Sequence, residues 1–242
     1  KNPGGKVFRY EGGTKWTDCG KIGDFYTATA MVSFDGNLYA APCDSYGCPN
    51  RTAACFRYEG GQSWKSVGAP EGRISGLLVQ DGAMQATVFG GRKVGFARYD
   101  GGEKWTTLGV PPDTDQTYSA VIYRGRPCLG TWPEGSVFRL DAPGQFAKLG
   151  RLGEEMEVMA MSVYNGDLYG GTLPSGQVYR YDGPEAGWTC TGQLDATPEV
   201  KYRRIWAMAV YQGKLFAGTL PSGHVYAMES GKCVGLDRAL PG

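Results

Sequence analysis

A short segment rich in glycine and aromatic residues recurs along this chain, and it constrains the fold more than any other feature. Its clearest copy is RYDGGEKW at residues 98–105. Related segments begin at Arg9, Arg57, Arg139 and Arg180 and end at Trp16, Trp64, Phe146 and Trp188. The terminal aromatic residues follow one another at intervals of 41 to 48 positions. A period of this size indicates a repeat architecture, in which one structural unit is copied several times.

Each repeat also contains two short apolar runs joined by a turn dipeptide. In residues 157–172, EVMAMSVYNGDLYGGT, that dipeptide is Asn165-Gly166. Asn-Gly and Asp-Gly between apolar runs are strong β-hairpin signals, because both turn residues adopt positive φ. The two apolar runs are named strands A and B, and the recurrent segment supplies strands C and D. Each unit then has four short strands. Four antiparallel strands in about 41 residues is the size of a β-propeller blade, and no sustained helical periodicity offers an alternative.

The number of hairpins predicts the number of blades. There are five A–B pairs but six C–D elements, the additional one lying at the N-terminus. We therefore expect an all-β chain whose residues 1–242 form a single propeller domain of five blades, with six blades as the alternative. The N-terminal hairpin, residues 7–22, is predicted to close the ring with the strands of residues 225–242. Cys19 and Cys233 would then be near each other and are candidates for a disulfide bond.

Composition excludes several classes of partner. The chain has 25 basic and 24 acidic residues, so its net charge of +1 gives no reason to expect a nucleic acid. No apolar run approaches the roughly 20 residues of a transmembrane helix, so we expect no membrane insertion. One histidine with scattered cysteines matches no zinc spacing, and phosphate-binding glycine motifs are missing. No metal or cofactor is expected.

A second cysteine pair and a sequon favour an oxidising compartment. Cys43 and Cys48 lie in an irregular loop that has no counterpart in the other repeats, where a disulfide bond would rigidify the insertion. Asn50 begins an Asn-Arg-Thr glycosylation sequon directly after it. The sequence therefore predicts a secreted or extracellular protein.

The spacing of Asp100, Gly102 and Trp105 resembles the Asp-box, the S-x-D-x-G-x-T-W element of sialidase-like propellers, with Arg98 in place of the serine. The resemblance covers the C–D turn of every blade and implies a propeller, here of a non-catalytic, lectin-like kind. The carboxylates of Asp100 and Asp182 are expected to accept hydrogen bonds from turn N–H groups. Because fold does not fix function, the recurrent residues are interpreted as structural.

A ligand site is expected where the copies differ. The A–B and C–D turns emerge at one face of a blade and the more variable B–C and D–A loops at the other. Aromatic faces beside charged side chains are typical of sugar binding, because a pyranose has an apolar C–H face and a ring of hydroxyls. The candidate ligand-binding residues on the loop face are Tyr26, Tyr46, Arg51, Arg73, Tyr118, Trp132, Glu157, Arg204, Trp206 and His224.

These residues predict a lectin-like propeller that binds glycans or glycoproteins without catalysis. Two alternatives stay open. A sialidase-like hydrolase would need three arginines, a tyrosine nucleophile with a glutamate, and an aspartic acid-base. Arg51, Arg73, Arg204, Tyr118 or Tyr26, Glu157 and Asp115 could take those roles, although no catalytic motif of that family is matched. The other alternative is a protein-interaction platform, which would use an exposed apolar patch.

Overall fold

A computed structural model describes residues 5–42, 54–89, 92–229 and 232–235, and over these residues the chain consists of strands and turns without an α-helix. The predicted fold and blade number are confirmed. Five four-stranded antiparallel sheets form a β-propeller, and a two-stranded sheet precedes them. The chain divides into two compact units, Lys1–Val110 and Pro111–Gly242.

The first unit contains the N-terminal hairpin and two blades. The hairpin is β1 (Lys6–Gly12) and β2 (Lys15–Lys21). Blade 1 is β3 (Ala28–Phe34), β4 (Asn37–Pro42), β5 (Phe56–Gly60) and β6 (Ser63–Ser66). Blade 2 is β7 (Arg73–Gln80), β8 (Ala83–Phe89), β9 (Phe96–Gly101) and β10 (Lys104–Gly109). Sequential strands pair in each blade, so each is a meander from strand A to strand D.

The second unit contains three blades of the same topology. Blade 3 is β11 (Gln116–Tyr123), β12 (Arg126–Trp132), β13 (Ser136–Ala142) and β14 (Gln145–Arg151). Blade 4 is β15 (Glu157–Tyr164), β16 (Asp167–Leu173), β17 (Gln177–Tyr181) and β18 (Trp188–Gln193). Blade 5 is β19 (Arg204–Tyr211), β20 (Lys214–Leu220), β21 (Val225–Glu229) and β22 (Lys232–Gly235). Within the unit, strand A of each blade contacts strand A of the next.

The A–B turns have the backbone that their sequence predicts. The first turn residue has a φ of 46° to 51° in all five blades, and a glycine with positive φ follows it. The five residues are Asp35, Asp81, Arg124, Asn165 and Gln212. Positive φ at both central positions gives the twist that two paired antiparallel strands require. Each A–B pair is therefore a tight hairpin.

The recurrent tryptophan joins a blade to the sheet that precedes it in the chain. In three blades the indole N–H donates to a main-chain carbonyl in or directly after strand D of that sheet. The bonds run from Trp64 to Cys19 (2.8 Å), from Trp105 to Val67 (3.1 Å) and from Trp188 to Leu149 (3.1 Å). The same contact in three blades supports the structural interpretation of this residue.

The recurrent arginine binds the acidic residue two positions after it. Five such pairs have N–O distances of 2.6 to 2.8 Å, and the acids are Glu11, Glu59, Asp100, Asp141 and Asp182. Thr106 also donates to Asp100, and Thr189 to Asp182. The expectation that turn N–H groups hold Asp100 and Asp182 is therefore not confirmed, because side chains on strands C and D bind these carboxylates instead.

The cysteine predictions have different outcomes. Cys19 is a free cysteine, packed in a small core with Val7, Ile22 and Ala40. Its predicted bond to Cys233 is therefore not formed, because the Cys19 thiol is enclosed by the core that the hairpin shares with blade 1. Cys43, Cys48 and Asn50 lie outside the described residues, so the disulfide bond and the glycosylation there stay predictions.

The closure of the ring by the hairpin of residues 7–22 also stays a prediction. Strand β1 pairs with β2 in a sheet of two strands. Strand β21 pairs with β20 on one side and with β22 on the other, so strands of its own blade fill both of its edges.

Among the described residues, no helix has the length and apolar character needed to cross a bilayer.

Candidate functional site

Every strand A has a β-bulge near its first residue, at the loop end of the blade. The register shifts once in each A–B pair, and the bulged residues are Thr29, Ser75, Tyr118, Met159 and Trp206. A bulge redirects a side chain out of the regular alternation of a strand and is common next to functional sites. Because the backbone repeats while the residue changes, these positions distinguish one blade from the next.

Three of the predicted residues come together at the loop end of the second unit. Glu157 is the first residue of β15 and is half-buried. The hydroxyl of Tyr118, at the bulge of blade 3, donates a hydrogen bond to the Glu157 carboxylate, and Arg204 of blade 5 lies close enough for its charge to act on it. Blades 3, 4 and 5 thus each contribute one polar side chain to this group, here called the polar cluster.

The Glu157 carboxylate is held in a partly desolvated position. Burial raises its pKa above the usual value for a glutamate, while the positive charge of Arg204 and the hydrogen bond from Tyr118 act in the opposite direction. Arg204 and Tyr118 therefore offset only part of the free-energy cost of burying this carboxylate. A ligand hydroxyl that donates to Glu157 would reduce this imbalance.

Trp206 stands at the bulge of blade 5, the position that Tyr118 takes in blade 3. It is two residues after Arg204, and 56% of its surface is exposed. The guanidinium carbon of Arg204 lies 5.5 Å from the centre of the Tyr202 ring. An exposed indole therefore lies two residues from Arg204 of the polar cluster, and Arg204 itself is stacked on Tyr202. Trp206 is more exposed than the tryptophans of blades 1, 2 and 4, Trp64, Trp105 and Trp188, which are half-buried.

Buried carboxylates fix the loops around this end of the unit. The Glu155 carboxylate accepts a hydrogen bond of 3.0 Å from the N–H of Ser175. Asp195 accepts one of 3.1 Å from the N–H of Ser222, in the equivalent loop of the next blade, and two more from Thr197. Burial acts to raise the pKa of Asp195, but these hydrogen bonds outweigh it and lower the pKa. The candidate site is thus built on loops with a defined backbone.

The other predicted residues of the second unit are not part of the polar cluster as the contacts define it. Trp132 ends β12 and is half-buried. His224 is exposed in the loop before β21, where its ring centre lies 6.2 Å from that of Tyr226. Its carbonyl accepts a hydrogen bond from Thr219, as that of Gln177 does from Thr172 in blade 4. His224 thus holds in blade 5 the loop position that Gln177 holds in blade 4.

The remaining candidates belong to the first unit or lie outside the described residues. Arg73 begins β7, with its guanidinium carbon 4.6 Å from the centre of the Phe89 ring. Tyr26 precedes β3 and is 40% exposed. Tyr46 and Arg51 are not among the described residues, so their assignment to the ligand site stays a prediction.

Sequence reasoning missed two features of the second unit. The first is Met159, which occupies the bulge between Tyr118 and Trp206 in the repeat and becomes visible only through the cross-strand register. The second is a basic cavity at the opposite end of blades 3 and 4, lined in part by Arg124 and Arg126. Its signal in the sequence is an arginine at a turn position where the other copies have Asp, Asn or Gln. In the part of the chain that the structure describes, no group of three or more His, Cys, Asp or Glu residues is arranged to hold a metal ion.

Comparisons with known proteins give the fold. No protein-family model matches the chain, and no curated protein matches it in sequence. The GH74 xyloglucanase from Xanthomonas campestris superposes with a TM-score of 0.72 at 16% identity, covering 97% of this chain and 42% of that one. Virginiamycin B lyase from Staphylococcus aureus gives 0.65 at 13% identity, covering 88% and 71%.

A third similar structure is the extracellular domain of BT4673 from B. thetaiotaomicron, described as a hybrid two component system. The TM-score is 0.60 at 16% identity, over 87% of this chain. This chain spans only 27% of that domain, about a quarter of its length. At these identities the similarity establishes the β-propeller and no activity. Membership of the Asp-box family stays a prediction.

Proposed function

We propose that this chain binds carbohydrate at the loop end of its second unit and does not transform it. The observation that supports the proposal is the exposed indole of Trp206 beside the polar cluster of Tyr118, Glu157 and Arg204. An exposed aromatic face can cover the C–H face of a pyranose, and charged side chains beside it can bind the hydroxyls at the ring edge.

The three polar side chains offer complementary hydrogen-bonding groups. The Glu157 carboxylate only accepts when ionised, Arg204 only donates, and the Tyr118 hydroxyl does both. Adjacent hydroxyls of a sugar can donate to Glu157 and accept from Arg204 at the same time. Glycans or glycoproteins are therefore the proposed partners, and an uncharged sugar is sufficient for these contacts.

The proposal agrees with the remaining predictions without depending on them. A xyloglucanase is among the proteins with this fold, so the fold is compatible with a carbohydrate ligand. A secreted or extracellular location would bring the chain to glycans, and it stays a prediction.

A glycan array with the purified chain, followed by titration of the best sugar by calorimetry, tests the proposal. Trp206→Ala and Arg204→Ala should each weaken binding about tenfold or more, which corresponds to about 1.4 kcal/mol. Trp16→Ala is the matched control, because Trp16 is an equally exposed tryptophan, 61% accessible, on the N-terminal hairpin. Unchanged affinity in both site variants, or equal losses in the control, would refute the placement of the site.

A second function is favoured by one specific contact. The hydrogen bond from Tyr118 to Glu157 is the pairing that a tyrosine nucleophile with a glutamate base would use. Among the described residues, however, Arg204 is the one arginine whose charge contributes to the pKa of Glu157, whereas a sialidase-like enzyme needs three to grip its substrate. Turnover of a fluorogenic sialoside, abolished by Tyr118→Phe, would establish the hydrolase; we expect no turnover above the buffer rate.

A further inference from the structure

A cavity at the turn end of the second unit carries an excess of positive charge. It encloses about 440 Å³ between blades 3 and 4, at the end opposite to the polar cluster. Four basic side chains and two tyrosines line most of it: Arg124, Arg126, Arg139, Lys148, Tyr123 and Tyr181. A volume of this size lies within the range of pockets that hold small organic ligands.

The carboxylates near this cavity neutralise only part of its charge. Arg139 binds both oxygens of Asp141, at 2.7 and 3.1 Å, and the Arg126 guanidinium lies 3.9 Å from the same carboxylate. Lys148 lies 3.6 Å from Glu134. The hydrogen bonds from Arg139 lower the pKa of Asp141, so this carboxylate stays ionised near neutral pH. The lining thus carries four positive charges, three of which have Asp141 or Glu134 as a partner.

Arg124 supplies charge that no described carboxylate neutralises. Among the described residues it has no ion-pair partner, and its guanidinium carbon lies 5.0 Å from the centre of the Tyr123 ring. Stacking on Tyr123 leaves the edge of the guanidinium, with its N–H donors, available to a ligand. Arg124 therefore provides the strongest attraction for an anion in this cavity.

The other blades show that the fold does not require an arginine at this position. It is the first residue of the A–B turn, with a φ of 50°. The other four blades place Asp35, Asp81, Asn165 and Gln212 at this position. Positive φ is uncommon for residues other than glycine, and Asp and Asn tolerate it best. An arginine there departs from the local preference, and such departures are expected at functional sites.

We propose that this cavity binds a small organic molecule carrying a phosphate or sulfate group. The guanidinium groups of Arg124 and Arg126 provide forked donors that match the oxygens of a tetrahedral oxyanion. The rings of Tyr123 and Tyr181, with centres 6.4 Å apart, form an apolar wall for the rest of the molecule. The site is at the other end of the unit from the polar cluster and is independent of the proposed carbohydrate site.

Isothermal titration calorimetry on the full chain tests this proposal with glucose 6-phosphate, glucose 6-sulfate, inorganic phosphate and glucose as probes. The sugar phosphate, the sugar sulfate or both should bind at least tenfold more tightly than glucose, and the better probe identifies the oxyanion. Affinity should fall as salt is added, because the attraction is electrostatic.

Variants then locate the site. Arg124→Asn installs the residue that blade 4 has at this turn, so it should leave the melting temperature unchanged or higher and weaken binding at least tenfold. Lys214→Asn is the matched control, since Lys214 holds in blade 5 the position of Arg126 and is not part of the cavity lining. Trp206→Ala should not change this affinity, which separates the site from the carbohydrate site.

Three outcomes would overturn the proposal: equal affinity for glucose and both anionic sugars, unchanged binding by Arg124→Asn, or an equal loss in Lys214→Asn. Inorganic phosphate that binds as tightly as glucose 6-phosphate would contradict the apolar wall of Tyr123 and Tyr181.

Discussion

Replacement of Trp105 by alanine should destabilise the protein through a contact between successive blades. The indole packs against the core of the first unit, with its ring centre 5.2 Å from that of Tyr99, and its N–H donates to the carbonyl of Val67 at 3.1 Å. The hydrogen bond contributes about 1 kcal/mol, the ring pair about 0.5 to 1 kcal/mol, and the burial of part of the ring about 1.5 kcal/mol. The free energy of unfolding should therefore fall by about 3 kcal/mol.

Two further variants separate these contributions. Trp105→Phe keeps an aromatic ring but removes the donor to Val67, so it should cost about 1 kcal/mol. Trp16→Ala removes the same residue of the same motif from the N-terminal hairpin, where 61% of the side chain is exposed. Trp16 still contacts the Tyr10 ring at 5.0 Å, and its removal should cost less than about 1 kcal/mol.

Urea denaturation followed by far-ultraviolet circular dichroism measures all three, because the loss of the backbone strand signal reports unfolding in each variant. A loss below 1 kcal/mol for Trp105→Ala would refute the assigned role of the indole. A loss for Trp16→Ala as large as that for Trp105→Ala would contradict the exposure of Trp16.

Three further predictions concern the packing between blades and the carboxylates of Glu157 and Asp195. In Gly171→Ala the new methyl group would overlap the Ile205 side chain of the next blade, so stability should fall by about 1 to 3 kcal/mol. Gly218 is the equivalent residue of blade 5, and a methyl group added there would have no other atom within 4 Å. Gly218→Ala should therefore cost less than half as much. If the two variants melt at the same temperature, the close approach of Gly171 to Ile205 is excluded. Because burial raises the folded-state pKa of Glu157, the contribution of its carboxyl group to stability is present below the unfolded-state pKa and is lost as the pH rises through the folded-state value. Glu157→Gln should therefore raise the melting temperature at pH 7, with a gain that disappears at low pH; a gain that is constant with pH would be inconsistent with this cause. The pKa of Asp195 is lowered, so the pH dependence of its contribution to stability has the opposite sign. That contribution is present above the unfolded-state pKa and is lost as the pH falls through the folded-state value. Asp195→Ala should cost about 1 to 3 kcal/mol at pH 7 and progressively less in acid, and a cost independent of pH would argue against the hydrogen bonds as its source.

The blades could be predicted from the sequence because local turn chemistry determines them. Asn165-Gly166 and its counterparts specify a two-residue hairpin turn wherever they occur between apolar runs, and the observed positive φ values follow from that requirement. The recurrent tryptophan could be assigned a structural role for a similar reason. An aromatic residue that most copies retain serves a need that most copies share.

Register and contacts between blades could not be predicted in the same way. Tyr118, Met159 and Trp206 each stand six residues before the first residue of their A–B turn, whereas Glu157 and Arg204 stand eight residues before theirs, so Tyr118 is equivalent to Met159 and Trp206. The bulge at this position, which redirects the side chain, becomes visible only in the cross-strand register. The error over Cys19 has a related cause, because its enclosure depends on the packing of the hairpin against blade 1.

Departures from the repeat are informative here because the backbone around them stays constant. Trp206 stands where the other blades have smaller residues at a bulge, and Arg124 stands where they have Asp, Asn or Gln at a turn with positive φ, although neither residue is required by the strands that hold it. The two residues lie at opposite ends of blades in the same unit and face different chemistry, an exposed aromatic face in one case and uncompensated positive charge in the other. A variant at either position should therefore affect one ligand and not the other. Coupled losses at both ends would mean that the variants act through the fold.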